Sequence, residues 1–448
     1  MVRRQEDTSM NAAVKPDIPA ARWWRIIPPA ILVYIFSFMD RTNIGFAMAG
    51  GMNESLSMTA SMSGLAAGIF FVGYVILQAP AGHWAEHRSA KMFVGTSIFI
   101  WGGLSILCGF VESAWQLLTI RFLIGVAEGG VWPAMLVILS HWFPNEERGR
   151  ANAYFIMNIA IASIITGPLS GWIISSFGWR WVFISEGLLS LLLIFVWWPL
   201  ISDSPEKAKW ISEEEKNYIV TRLLEEQASL KSSDSAKTSY SELFKDVNLW
   251  KMILLYFCYQ VGIYGFAMWL PTLLKELTNT GMTGIGLLSM FPYIAMIFGL
   301  YAFAQLSDRS MNRRRYTAIP IIAFAACFLL STLLKTNVWV SFGFLVACGL
   351  FMQSASSIFW TMPPLLFPAE VAGGARGVIN AIGNLGGFIG PFAVGWFRTS
   401  FDSYDAGIYF LVIMLVAGYL LTLTLPAKTA GPAASKRGDL PSTTPRTA

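Results

Sequence analysis

Charge is scarce in this chain. Asp, Glu, Lys and Arg make up 13% of its 448 residues, where a soluble domain carries about 25%. Histidine is scarcer still, at three residues, and the four cysteines (Cys108, Cys258, Cys327 and Cys348) stand far apart, each in an apolar stretch. Such cysteines read as small buried hydrophobes, with no disulfide or zinc role. No glycine-rich phosphate loop ending in Gly-Lys occurs, so ATP-driven work by this chain alone is not expected, and neither is any cofactor. The net charge of +5 does not point to nucleic acid, because the basic residues sit between apolar runs. The first 23 residues are polar, with Arg3, Arg4, Glu6 and Asp7, and no short apolar core with a cleavage site follows. They read as a retained cytoplasmic tail.

What the chain has in abundance is apolar length. Hydrophobic residues make up 55% and the mean hydropathy is +0.54, which indicates an integral, all-α membrane protein. Runs of about 20 apolar residues span a bilayer. Twelve are predicted, six near 25–48, 60–82, 91–111, 115–142, 151–175 and 181–200, and six near 251–274, 284–306, 316–334, 338–365, 377–398 and 406–425. The organisation expected is a tail (1–23), a six-helix half (24–200), a charged linker (201–250), a second half (251–426) and a tail (427–448). Within the linker, Ser212 followed by Glu213, Glu214 and Glu215 is a capping-box signature. Tyr218, Ile219, Leu223 and Leu224 give the ensuing helix an apolar stripe suited to the membrane surface or the bundle. The rest, "ASLKSSDSAKTSYSE", reads as a flexible linker.

Lysine and arginine set the expected orientation. With the amino terminus inside, only Arg180, Lys275, Lys335 and Arg398 fall outside, and Arg41 and Arg121 lie within spans. Both termini are therefore expected in the cytoplasm. The halves also repeat. "FPNE" at 143 recurs as "FPAE" at 367, "GPLSGW" at 167 as "GPFAVGW" at 390, and "AEHRSAK" at 85 as "SDRSMNR" at 307. Two parallel six-helix repeats imply a central site, opened alternately to either side by rocking.

These landmarks resemble the major facilitator superfamily over nearly the whole chain. Its loop pattern between the second and third helices is partly kept in Gly82, Glu86, His87, Arg88 and Lys91, with Glu for Asp, and more closely in Asp308, Arg309, Arg313, Arg314 and Arg315. The resemblance implies that Glu86, Arg88, Asp308 and Arg309 brace the halves on the cytoplasmic side in one conformation. "DRTNIGFA", "RFLIGVAEGGVWP", "HWFPNEERGRANA", "WRWVFISEGL" and "SDSPEKAKWIS" are most similar to the anion:cation symporters within that superfamily, as are "IFW" and "INAIGNLGG". This implies a multi-pass inner-membrane protein, expected as a monomer, that takes up an organic carboxylate together with protons.

Ionisable residues inside spans are functional candidates by default. At ~1.5 Å per helical residue, Asp40 stands roughly 21 Å from the inner start of span 1. Arg121 stands roughly 9 Å from the outer start of span 4. In a core about 30 Å thick these are one level, and an Asp40–Arg121 pair is feasible. Glu128 follows Arg121 by two turns on the same face. Asp40 and Glu128 are the proton-coupling candidates, Asp40 kept ionised by its pair and Glu128, a lone carboxylate, neutral. Helix locking is the competing reading, although buried pairs stabilise poorly. Arg41 either faces the cavity or bends towards the outer interface. The matching positions in the second half, Leu345 and Met352, are apolar, so that half should supply shape and neutral hydrogen bonds.

The substrate-binding candidates are Arg41, Arg121, Tyr74, Gln260, Tyr264, Trp360, Asn380 and Asn384. Tyr74 is equally a packing residue. The two asparagines, four apart at membrane depth, must find polar partners, either in the substrate or on other helices. Glu186 is expected near the outer side, satisfying Arg180 or backbone groups. Two sequence patterns point to other functions. "HWAEH", His83 to His87, fits a zinc-protease pattern, but it sits on the loop motif and its repeat partner "QLSDR" has no histidine. Glycine-proline "GPLSGW" resembles drug–proton antiporters, but recurs in span 11, where small residues explain close packing.

Overall fold

The computed structural model describes residues 20–232 and 240–426. Most of both tails and part of the polar linker stretch lie outside them. Twelve long helices run Ala21–Ala47, Ala60–Trp84, Ala90–Cys108, Ala114–Trp142, Asn145–Phe177 and Arg180–Leu200, then Val247–Thr278, Met282–Ser310, Arg313–Leu333, Val338–Leu366, Val371–Phe401 and Tyr404–Leu423. We call them spans 1 to 12. By length and composition, 11 helices among the described residues can cross a membrane, namely spans 2 to 12. Span 1 has the length, at 27 residues, but Arg22, Arg25, Asp40 and Arg41 lower its hydropathy.

Polar residues mark the helix starts. Thr59, Ser89, Ser113, Asn312, Asn337 and Ser403 each accept a hydrogen bond from an otherwise unpaired backbone N–H in the first turn. The repeat shows in the backbone as well. Span 4 is interrupted directly after Glu128, and span 10 directly after Met352, the matching position of the second half.

The halves meet along spans 2 and 11 and along spans 5 and 8. Contact is closest at the end opposite the chain termini, where backbones touch. A Cβ on Gly286 of span 8 would lie 2.3 Å from the Gly167 carbonyl oxygen of span 5, and one on Gly64 of span 2 would lie 2.4 Å from that of Pro391 of span 11. Hydrogen bonds at this far end tie Ser175 to Thr283 (2.8 Å), Ser61 to Thr399 (2.9 Å) and Lys275 to the Ala49 carbonyl (2.7 Å).

At the termini end the linker folds back on the first half. Ser212 caps the helix Glu213–Ser232 as expected, accepting from the Glu215 N–H. Glu215 does not complete the capping box, however. Its buried carboxylate reaches span 1, accepting from the backbone N–H groups of Ala21 and Arg22 and from the Arg22 guanidinium at 2.7 Å. Arg22 also pairs with Glu147 at the start of span 5. Ile219, Tyr218 and Leu223 pack on the bundle, whereas Leu224 is exposed. Asp203 accepts from the Ser89 hydroxyl and the Lys91 N–H, fixing the loop between spans 2 and 3.

Candidate transport site

Span 1 brings its polar residues to the interior of the first half. Asp40 and Arg121 meet at the inferred level, with 3.6 Å between the guanidinium and the carboxylate. The stronger contacts of Arg121 are to main chain. It donates to the carbonyl oxygens of Asp40 (2.9 Å) and Arg41 (3.2 Å), and it is wholly buried. The Asp40 carboxylate also accepts from the Ser105 hydroxyl of span 3.

Arg41 turns inward. Its guanidinium stands 3.4 Å from Glu128 and lies over the rings of Tyr74 (4.7 Å) and Phe70 (5.1 Å). Glu128 is therefore not the lone carboxylate expected. It has Arg41 as counter-ion and accepts from Ser37 at 2.7 Å. The reason is geometric, since Arg41 and Ser37 lie one turn apart on span 1 and present one face to span 4. The Arg41–Glu128 contact, at 3.4 Å, is longer than a strong charged hydrogen bond, about 2.7–2.9 Å.

Glu186 departs from expectation as well. Arg180 donates to Ser55 and to the Val111 carbonyl, while Glu186 accepts from Asn43 of span 1 at 2.7 Å and from Ser170 of span 5 at 3.4 Å. In the second half, Gln260 donates to Asn384 (3.0 Å), Asn384 to Asn380 (3.1 Å), and Asn380 to Gln78 of span 2 (3.4 Å). The asparagines thus find protein partners, and the ladder crosses between halves at Gln78. Nothing in the sequence beyond its polarity at membrane depth marked Gln78. Trp360 and Phe359 pack with Tyr256, and Tyr264 packs on Phe71 of span 2 at 4.3 Å.

The loop residues Glu86, Arg88, Asp308 and Arg309 are exposed, and Asp308 pairs with Arg313 of its own half at 2.5 Å. No hydrogen bond or ion pair found among the described residues carries them across the halves. His83 and His87 face each other at 4.1 Å, while His141 lies against the Asp203 carbonyl. Cys108, Cys258 and Cys348 are buried, and Cys327 is half-buried.

A family model described as Major Facilitator Superfamily matches residues 30–391 and 284–443, and the chain belongs to that superfamily. It is a multi-pass transporter of the inner membrane. It is 32% identical over 424 residues to an Agrobacterium vitis protein named "Putative tartrate transporter", covering 93% of this chain and 96% of that protein. It is 30% identical to a quinolone resistance transporter of Acinetobacter baumannii, covering 90% and 94%. In fold, it is similar to a bacterial homolog of the human lysosomal transporter Spinster in an inward-facing, unoccupied conformation, with a TM-score of 0.74 at 16% identity, covering 92% of this chain and 99% of that one.

Proposed function

We propose that this transporter takes up an organic carboxylate anion by proton symport and alternating access. The observation that carries the reading is the Arg41–Glu128 pair, a buried guanidinium ringed by aromatic and hydroxyl groups and held by one carboxylate at 3.4 Å. An incoming carboxylate can take the place of Glu128 on Arg41. Glu128, left without its counter-ion in a dry site, then takes up a proton. Binding of the anion and binding of the proton become one event.

In this reading Asp40 is the second proton site. Arg121, committed to main-chain oxygens, positions span 1 and supplies positive potential. Tyr74, Tyr264 and Trp360 shape the cavity, and the ladder of Gln260, Asn384 and Asn380 offers amides to substrate hydroxyls. The name of the A. vitis relative supports a hydroxylated dicarboxylate or sugar acid over an aromatic one. With the termini in the cytoplasm, closure at the far end makes this conformation inward-facing.

A panel of acids, including tartrate, sugar acids and aromatic acids, identifies the class through thermal stabilisation of purified protein. Flux in liposomes with an internal pH dye then tests coupling. Uptake of the stabilising acid with internal acidification is expected. Uptake without proton movement, or equal competition by the neutral amide, rejects the assignment. A second reading, proton-driven export of small molecules, is favoured by the name of the A. baumannii relative. It requires flux against, not with, the inward proton gradient.

A further inference from the structure

Glu186 is a buried carboxylate, 1% exposed, that the transport scheme above does not use. Its neighbours come from every span packed against span 6. Span 1 supplies Asn43 and Asp40, span 3 supplies Ser105 and Cys108 beside Asp40, and span 5 supplies Ser170. Arg121 of span 4 acts on Glu186 only at a distance, already engaged with Asp40 and two carbonyls. No ion pair to Glu186 is found among the described residues.

Two observations bear on its charge. The first is a count. The buried ionisable residues at the centre of the first half are three carboxyls (Asp40, Glu128, Glu186) and two guanidiniums (Arg41, Arg121). With all of them ionised the cluster carries one uncompensated negative charge away from water, an expensive state that a single proton removes. Asp40 and Glu128 each have a guanidinium partner, and Glu186 has none.

The second is an unsatisfied atom. Asn43 is fully buried and its Nδ2 donates to Glu186, but its Oδ1 has no hydrogen-bond donor. A buried amide oxygen left unpaired costs free energy. A carboxylic acid on Glu186 supplies the missing donor, since its O–H can bond to Oδ1 while its carbonyl accepts from Nδ2. An ionised Glu186 has only acceptors to offer.

We propose that Glu186 holds a proton in this conformation and is the third proton-binding carboxyl of the cluster, paired as an acid with the Asn43 amide. Extending the symport reading, and resting on it only for the consequence, the cluster is neutral with one proton before substrate arrives. Each substrate carboxylate that enters must then be matched by a further proton. Asn43, three residues beyond Asp40 on the same helix, transmits the charge state of one carboxyl to the other.

Infrared spectroscopy of the purified protein at neutral pH, without substrate or gradient, tests this directly. A protonated carboxyl has a carbonyl stretch that an ionised one lacks. One such band is expected in the wild type and lost in Glu186→Gln. In Asn43→Ala the band should move to higher frequency as the acid loses its partner. No band in the wild type, a band that survives Glu186→Gln, or an unshifted band in Asn43→Ala overturns the assignment. If Glu186→Gln fails to fold, the Asn43→Ala shift decides. Because no transport is measured, the result stands even if flux proves uncoupled from protons, which would defeat the symport reading alone.

Discussion

Replacing Arg121 removes more than a charge. Its two main-chain hydrogen bonds join spans 4 and 1 whatever the state of Asp40, so the two halves of the ion pair are not equivalent. Losing one partner of a buried pair typically costs about 3–5 kcal/mol. Arg121→Gln should reach that range on thermal unfolding, whereas Asp40→Asn, which keeps a polar group beside Ser105, should fall below it. The double variant should be more stable than the summed losses imply, a coupling that a double-mutant cycle isolates. Strictly additive losses would show that the 3.6 Å separation carries no interaction. At Glu128, substitution by Gln imitates a fixed proton. Counterflow exchange should persist while proton-driven accumulation falls to the equilibrium level. Normal accumulation in Glu128→Gln would remove that residue from coupling.

Among the elements, the far end of spans 5 and 8 has no room for a side chain at their crossing. In Gly286→Leu the new Cβ would meet the Gly167 carbonyl oxygen at 2.3 Å, so the closed far end should be lost. Cysteines in place of Ser175 and Thr283, whose hydroxyl oxygens are 2.8 Å apart, should cross-link readily and arrest transport. Adding Gly286→Leu should cut the cross-linked fraction several-fold. The linker helix makes a different prediction. Glu215 is buried and bonds to Arg22 and two backbone N–H groups, and hydrogen bonds to charged groups contribute about 1.5–3 kcal/mol. Glu215→Ala should lower stability by about 2 kcal/mol in thermal unfolding, because Glu147 still holds Arg22. No loss would mean the linker docks through Ile219 and its apolar neighbours alone.

For the whole molecule, what could be read from the chain was what membranes make costly. Long apolar runs marked all twelve spans, and depth alone matched Asp40 to Arg121. What could not be read were contacts set by the rotation of each helix about its axis. Ser37 and Ser105 look like any small polar residue in a span, yet they hold the two carboxylates. Arg180 and nearby backbone groups are the partners that sequence proximity suggests for Glu186, but Asn43, far off in the chain, is the one it meets. Glu215 fitted a local capping pattern that a long-range contact with Arg22 displaced. Spacing along the chain carries no trace of such competition.

The hold of Arg121 on main-chain oxygens has a mechanical consequence. A carboxylate can gain or lose a proton and its attraction for a guanidinium changes with it, but a carbonyl oxygen keeps its partial charge at every pH. Spans 1 and 4 are therefore riveted together by a contact that titration cannot loosen. A change of charge on Asp40 would then leave the two helices that carry the pair joined. In an alternating-access cycle, motion would then fall to the seam between the halves, with each half moving as a stiff plate.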